Sequence, residues 1–155
     1  MRTALTILAI LAIGTVYSPI AFSESTDSAA SDAAAHKAHE AYVKAINSNN
    51  LEILLEMLTD DVVFMAAHAK PFVGKAAVRP WLEGYLKAYK TNWDKPVQEF
   101  VVNGEWAFER YSYKSTDTPL AGGDPIVDTG WGFVVYHRDA DGKWRVTRGG
   151  RTILR

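Results

Sequence analysis

The chain has 155 residues, enough for one compact domain with a sizeable core, and 48% of them are hydrophobic, which excludes a disordered chain. Lys and Arg number 17 against 18 Asp and Glu, and the net charge of −1 argues against nucleic acid or an anionic membrane surface as the main partner. No cysteine is present, which excludes disulfides, thiolate metal ligands and a cysteine nucleophile.

Arg2 is the only charge before Glu24, and the run Ala4 to Ile13 is apolar except for Thr6. A short apolar run behind one positive charge has the layout of a secretory signal peptide. Ala21-Phe22-Ser23 places small residues at the two positions a signal peptidase reads. Residues 1–23 are therefore expected to be removed, leaving a periplasmic or secreted protein. The competing reading is an uncleaved anchor, but the run is short for a span of roughly 20 residues. Tyr17, Ser18 and Pro19 interrupt it as well. No stable membrane insertion is expected after cleavage. Residues 24–31 are small and polar and read as a flexible leader; residues 32–155 read as the domain.

From Asp32 to about Ser48, Ala35, Ala38, Tyr42, Ala45 and Ile46 recur at three- and four-residue steps, which predicts a helix with one apolar stripe. Asn49 and Asn50 stop it, and either can cap a second helix carrying Leu51, Leu54, Leu55 and Leu58 on one face. Asp60-Asp61 turns the chain into a short strand, Val62–Met65. Pro71 and Gly74 mark a loop. A third helix follows, with Val78, Trp81, Leu82, Tyr85, Leu86 and Tyr89 at helical spacing and Pro80 expected to kink or restart it.

The remainder alternates. Asn103-Gly104 joins Val97–Val102 to Glu105–Tyr113, a strong hairpin signal. Pro119 to Pro125 reads as a loop. Ile126–Arg138 and Lys143–Ile153 flank Asp139-Ala140-Asp141-Gly142 as a second hairpin. Three helices followed by a curled antiparallel sheet make an α+β domain.

Tyr42-Val43-Lys44-Ala45-Ile46-Asn47-Ser48-Asn49-Asn50-Leu51, Leu58-Thr59-Asp60-Asp61-Val62, Gly74-Lys75-Ala76-Ala77-Val78 and Asp141-Gly142-Lys143-Trp144-Arg145-Val146 follow one another in an order that resembles a known family. It is the SnoaL-like and ketosteroid-isomerase-like branch of the nuclear-transport-factor-2-like superfamily, and the likeness covers about residues 34 to 152. The resemblance implies a cone in which helices pack on a strongly bent antiparallel sheet around a mostly apolar cavity. It does not imply one activity, because this fold hosts isomerases, dehydratases, hydrolases and binding modules. The ketosteroid isomerases use a tyrosine, a protonated aspartic acid and an aspartate base. By the resemblance the tyrosine falls on Tyr42, but the base falls on Ala66 and the second acid on Val134. Steroid isomerisation by that mechanism is therefore not expected.

Strand alternation then selects side chains that share the cavity face with Ala66 and Val134. On the first strand these are Val62, Phe64 and His68. His68 is either a base at the rim of an apolar pocket or a loop histidine in solvent. On the strand from Ile126 they include Asp128, either a displaced acid or base or a strand-end carboxylate in water. Gly130 and Gly132 share that face and widen the cavity or mark a bulge. On the last strand Thr147, Gly149 and Arg151 point inward by the resemblance. An unpaired guanidinium there would be costly to desolvate. Arg151 then needs a carboxylate, from Asp128, Glu109 or a ligand, unless the strand has already ended by Gly149.

Trp81 and Tyr85 read as core or cavity wall. His36 and His39 with Glu40 lie at a three-residue helical step near a frayed end and read as a solvated face, so no metal site is expected. No glycine-rich phosphate loop or serine nucleophile motif is present, and no cofactor is expected. Trp106 with Phe108, and Trp131 with Phe133, alternate as sheet-face residues and suggest a homodimer through the outer face. The expectation is an exported cone that holds a small, largely apolar molecule, with a carboxylate where a ligand rather than Asp128 or Glu109 pairs Arg151. The alternative is a cofactor-independent isomerase or lyase with base His68 or Asp128, oxyanion donor Tyr42 and clamp Arg151.

Overall fold

A computed structural model describes residues 24–67 and 69–154. The expected signal peptide and His68 lie outside the described residues. The elements run α1 (Glu24–Asn47), α2 (Leu51–Glu56), β1 (Leu58–Met65), β2 (Phe72–Val73), α3 (Lys75–Ala88), β3 (Tyr89–Asp94), β4 (Val97–Asn103), β5 (Trp106–Pro119), β6 (Ile126–Arg138) and β7 (Trp144–Arg151). Helix α1 begins at Glu24, so the segment read as a leader is helical, as its alanines favour. Its stripe Ala35, Ala38, Tyr42 and Ala45 is buried as the three- and four-residue spacing requires.

The turn between α1 and α2 is built from asparagines. Asn50 caps α2 by accepting from the amides of Glu52 and Ile53. Asn49 adopts a left-handed φ of 54°. Helix α3 runs through Pro80 without restarting and ends at Ala88. Tyr89 takes an extended conformation there, so it opens β3 rather than closing the helix as its spacing suggested.

The sheet has seven strands in the order β2-β1-β7-β6-β5-β3, and β4 also pairs with β5. It is mixed rather than wholly antiparallel, because β1 runs parallel to β7. Strand β5 is long enough to hold two neighbours on one edge: β4 along Trp106–Tyr111 and β3 along Lys114–Pro119. The helices cover one face of this sheet, and the core lies between them.

Register decides which residues face that core. Along β5 the buried positions alternate as Ala107, Glu109, Tyr111, Tyr113, Ser115 and Asp117. Opposite them stand Gly130, Gly132, Val134 and Tyr136 of β6. Strand β7 changes phase. Tyr136 pairs with Val146 but Val135 pairs with Arg148, so Thr147 is the extra residue of a bulge. Trp144 and Val146 face the core before the bulge, Gly149 and Arg151 after it. The sequence reading put Thr147 in phase with Gly149; the bulge moves it out of that series.

Candidate functional site

Tyr42 and Ile46 of α1, Phe64 of β1 and Trp81 and Tyr85 of α3 surround a cavity of about 60 Å³. Its sheet side is formed by Thr91, Trp93, Lys95, Tyr111, Val134 and the Gly149-Gly150-Arg151 end of β7. The space is modest because side chains fill much of the cone. Gly130 and Gly132 do not widen it, as their position on β6 had suggested. Tyr111 lies over Gly132 and Tyr113 over Gly130, and a Cβ on either glycine would collide with the tyrosine ring and a backbone carbonyl. The glycines make room for rings rather than for a ligand.

Among the described residues, two cations and no carboxylate line this cavity. Arg151 continues the inward series of β7 because the strand holds its pairing to the end, Arg151 against Gly132. Its guanidinium carbon lies 4.6 Å from the Trp93 ring centroid and 5.4 Å from that of Tyr113, within cation–π range. Its Nη1 is buried and has no hydrogen-bond partner among the described residues. Neither expected protein partner is available. Asp128 sits half-buried near the start of β6, in register with Ser115, and does not line the cavity. Glu109 is engaged elsewhere.

Lys95, just past β3, is the second cation. Its Nζ donates to Glu109 Oε1 at 2.6 Å, and both side chains are almost wholly buried. The ammonium also stands 3.9 Å from the Tyr111 ring centroid and 5.4 Å from that of Tyr42. Tyr136 donates to the other Glu109 oxygen at 2.6 Å. His39 Nδ1 lies 3.1 Å from Oε1 but off the line of a hydrogen bond. Burial raises the Glu109 pKa, yet the His39 contact, the Lys95 charge and the Tyr136 hydroxyl together hold it below the usual carboxylate value. Burial lowers that of Lys95 against the opposing pull of Glu109.

A third cluster closes the α3 side. Tyr85 donates to Asp117 Oδ1 at 2.5 Å and Thr91 Oγ1 donates to the same oxygen at 2.6 Å. Trp93 Nε1 donates to Thr91 Oγ1. Burial first, then the Asp117 bond, raises the Tyr85 pKa well above ordinary. Burial does the same for Tyr42 and Tyr111, with Arg151 pulling the other way. These phenols stay protonated at neutral pH.

Two asparagine side chains fix this wall. The Asn47 amide exchanges hydrogen bonds with both the N–H and the C=O of Trp93, and the Asn49 amide does the same with Thr91. Side chains from the α1–α2 turn thus complete the open edge of β3 as a neighbouring strand would.

Of the residues selected from sequence, Tyr42, Phe64, Trp81, Tyr85 and Arg151 meet at the cavity. Asp128 stands apart from it. His36 stacks on Phe100 at 4.2 Å, and His39 turns toward Glu109. Lys95, Asp117, Thr91 and Trp93 were not singled out. The one available signal was β5 itself, where two carboxylates fall in phase with core tyrosines.

A family model of the SnoaL-like domain matches residues 39–147. Solved structures agree on the fold. A ketosteroid isomerase-like protein from Erwinia carotovora atroseptica superimposes with a TM-score of 0.73 at 22% identity, covering 80% of this chain and 96% of its own. A protein from Novosphingobium aromaticivorans named as a scytalone dehydratase gives 0.73 at 16% identity, over 83% and 87%. A nuclear-transport-factor-2-like protein from Salmonella enterica gives 0.72 at 13% identity, over 83% and 94%. No curated protein matches the sequence. The chain belongs to the SnoaL-like family and carries its nuclear-transport-factor-2-like fold.

Proposed function

We propose that this protein binds a small, largely apolar molecule bearing a carboxylate, with the carboxylate on Arg151. The supporting observation is the buried Nη1 of Arg151, which has no partner among the described residues, on a cavity whose described lining holds no Asp or Glu. An unsatisfied buried guanidinium donor is costly, and a carboxylate satisfies it with a charge-assisted bond. Stacking against Trp93 offsets part of that cost. Titration calorimetry with small carboxylates and their matched amides tests the reading. Carboxylates are expected to bind and amides are not; equal binding of both overturns it.

One observation favours the second reading, an isomerase or lyase that needs no cofactor. Tyr85, which lines the same cavity as Arg151, forms a short-bonded phenol–carboxylate pair with Asp117 behind it, and the Novosphingobium neighbour is named as a dehydratase. In that reading Asp117, through Tyr85, takes the acid–base part assigned from sequence to His68 or Asp128. The same reading of the whole protein includes export, supported by the pattern of residues 1–23. No helix among the described residues is long and apolar enough to cross a membrane. It also includes a homodimer through the outer sheet face, where Trp106, Phe108 and Trp131 are exposed.

A further inference from the structure

A lysine ammonium on the wall of an apolar cavity is an expensive feature. Burying such a pair typically gains little net stability over a well-packed hydrophobic alternative. Lys95 is nevertheless 4% exposed, in contact with the cavity and in line with Glu109. Arg151 stands on the same wall: the Lys95 ammonium faces the Tyr111 ring, and Tyr111 is joined through Gly132 to Arg151 in the sheet register. A ligand held by its carboxylate on Arg151 therefore extends its body along Tyr111 toward the Lys95 nitrogen.

We propose that Lys95 forms a Schiff base with the carbonyl group of a small oxo acid whose carboxylate rests on Arg151. The inference rests on the carboxylate-binding reading and adds the carbonyl and the covalent step. Glu109 first takes one ammonium proton across the 2.6 Å bond, which exposes the nitrogen lone pair. That lone pair attacks the carbonyl carbon, and the C=O bond opens to a carbinolamine. A proton from nitrogen and the proton held by Glu109 leave with the oxygen as water. A C=N bond remains, and the third hydrogen stays on nitrogen as an iminium. The charge of +1 is the same before and after.

That conservation is what suits the surroundings to the chemistry. The Glu109 carboxylate and the faces of Tyr111 and Tyr42 that hold an ammonium hold an iminium equally well. Burial lowers the proton affinity of the amine, in the direction a nucleophile needs. The cavity of about 60 Å³ restricts the partner to a molecule of few heavy atoms.

The test is reductive trapping of the full chain with 4-oxopentanoate and sodium cyanoborohydride, read by intact mass and peptide mapping. One adduct on Lys95 is expected. Lys95→Met, checked for folding by circular dichroism, should lose it; should that variant fail to fold, Lys95→Met with Glu109→Gln removes both buried charges and should lose it too. Arg151→Met should reduce labelling by 4-oxopentanoate about tenfold, to the level given by 2-butanone. Labelling spread over surface lysines, or none, overturns the Schiff base. If calorimetry still shows carboxylate binding in that case, the binding reading stands without it; if neither adduct nor binding is seen, both fall.

Discussion

Glu109 sits in the middle of β5 and receives a hydrogen bond on each oxygen, from Lys95 and from Tyr136. Removing one member leaves the other charged and buried. Lys95→Met should therefore cost about 3–5 kcal/mol of stability, measured by denaturant unfolding. The double variant Lys95→Met with Glu109→Gln should recover most of that loss; no recovery would mean that the pair is not a closed unit. The pH dependence has a definite sign. Glu109 is held below its ordinary pKa in the fold, so its contribution is complete above the unfolded carboxylate value, about pH 4, and falls away as acid protonates it. Melting temperature should drop on acidification below that value, and Glu109→Gln should flatten part of the drop. An identical acid profile in the variant would contradict the assignment. At this scale the sequence was partly readable. Tyr42, Phe64, Trp81 and Tyr85 could be placed from helix and strand periods, and Arg151 from alternation counted through the resemblance. Lys95 could not. Its burial depends on meeting Glu109, 14 positions away, and adjacent Pro96 and Asp94 make it look like a loop residue.

Among the elements, β3 is the one the sequence concealed. Tyr89 continues the spacing of α3, and Lys-Thr-Asn-Trp-Asp has no clean alternation, so the strand forms because of what lies beside it. Pairing with β5 satisfies one edge, and the amides of Asn47 and Asn49 satisfy the other. Asn49→Ala removes two of those bonds and the side chain best suited to a left-handed φ, so a loss of about 1–3 kcal/mol is expected. Faster amide exchange centred on Thr91, with Trp93 still held by Asn47, would locate it; exchange unchanged at Thr91 would contradict the edge pairing. The glycines of β6 behave differently. Gly132→Ala drives a methyl into Tyr111 and the Gly150 carbonyl and should destabilise strongly, whereas Gly149→Ala makes only ordinary contacts, with Phe64 at 3.7 Å and Val146 at 3.8 Å. The hairpins were legible because Asn103-Gly104 and Asp141-Gly142 are turn chemistry in themselves. The bulge at Thr147 was not, since it adds one residue without a glycine or proline to announce it.

For the whole molecule, helices cover one face of the sheet and the other is left with Trp106 52% and Trp131 44% exposed. Sedimentation should show a dimer in which Trp131→Glu favours the monomer; a monomer at high micromolar concentration would contradict the pairing. The fold class was readable from patterning because all three helices fall before Tyr89 and the long run of strands β3 to β7 follows them. The cavity's chemistry was not, because it depends on which carboxylate ends beside which cation. Lys95 takes Glu109, Tyr85 and Thr91 take Asp117, and Arg151 is left without either. Carboxylate binding therefore depends on that one guanidinium. Calorimetric titration of a short-chain carboxylate into the parent protein and Arg151→Met, with the matched amide as control, tests it most directly. Binding to the parent that falls about tenfold or more in Arg151→Met, with no amide binding, is the predicted result. Equal affinity of parent and variant, or of acid and amide, would contradict it.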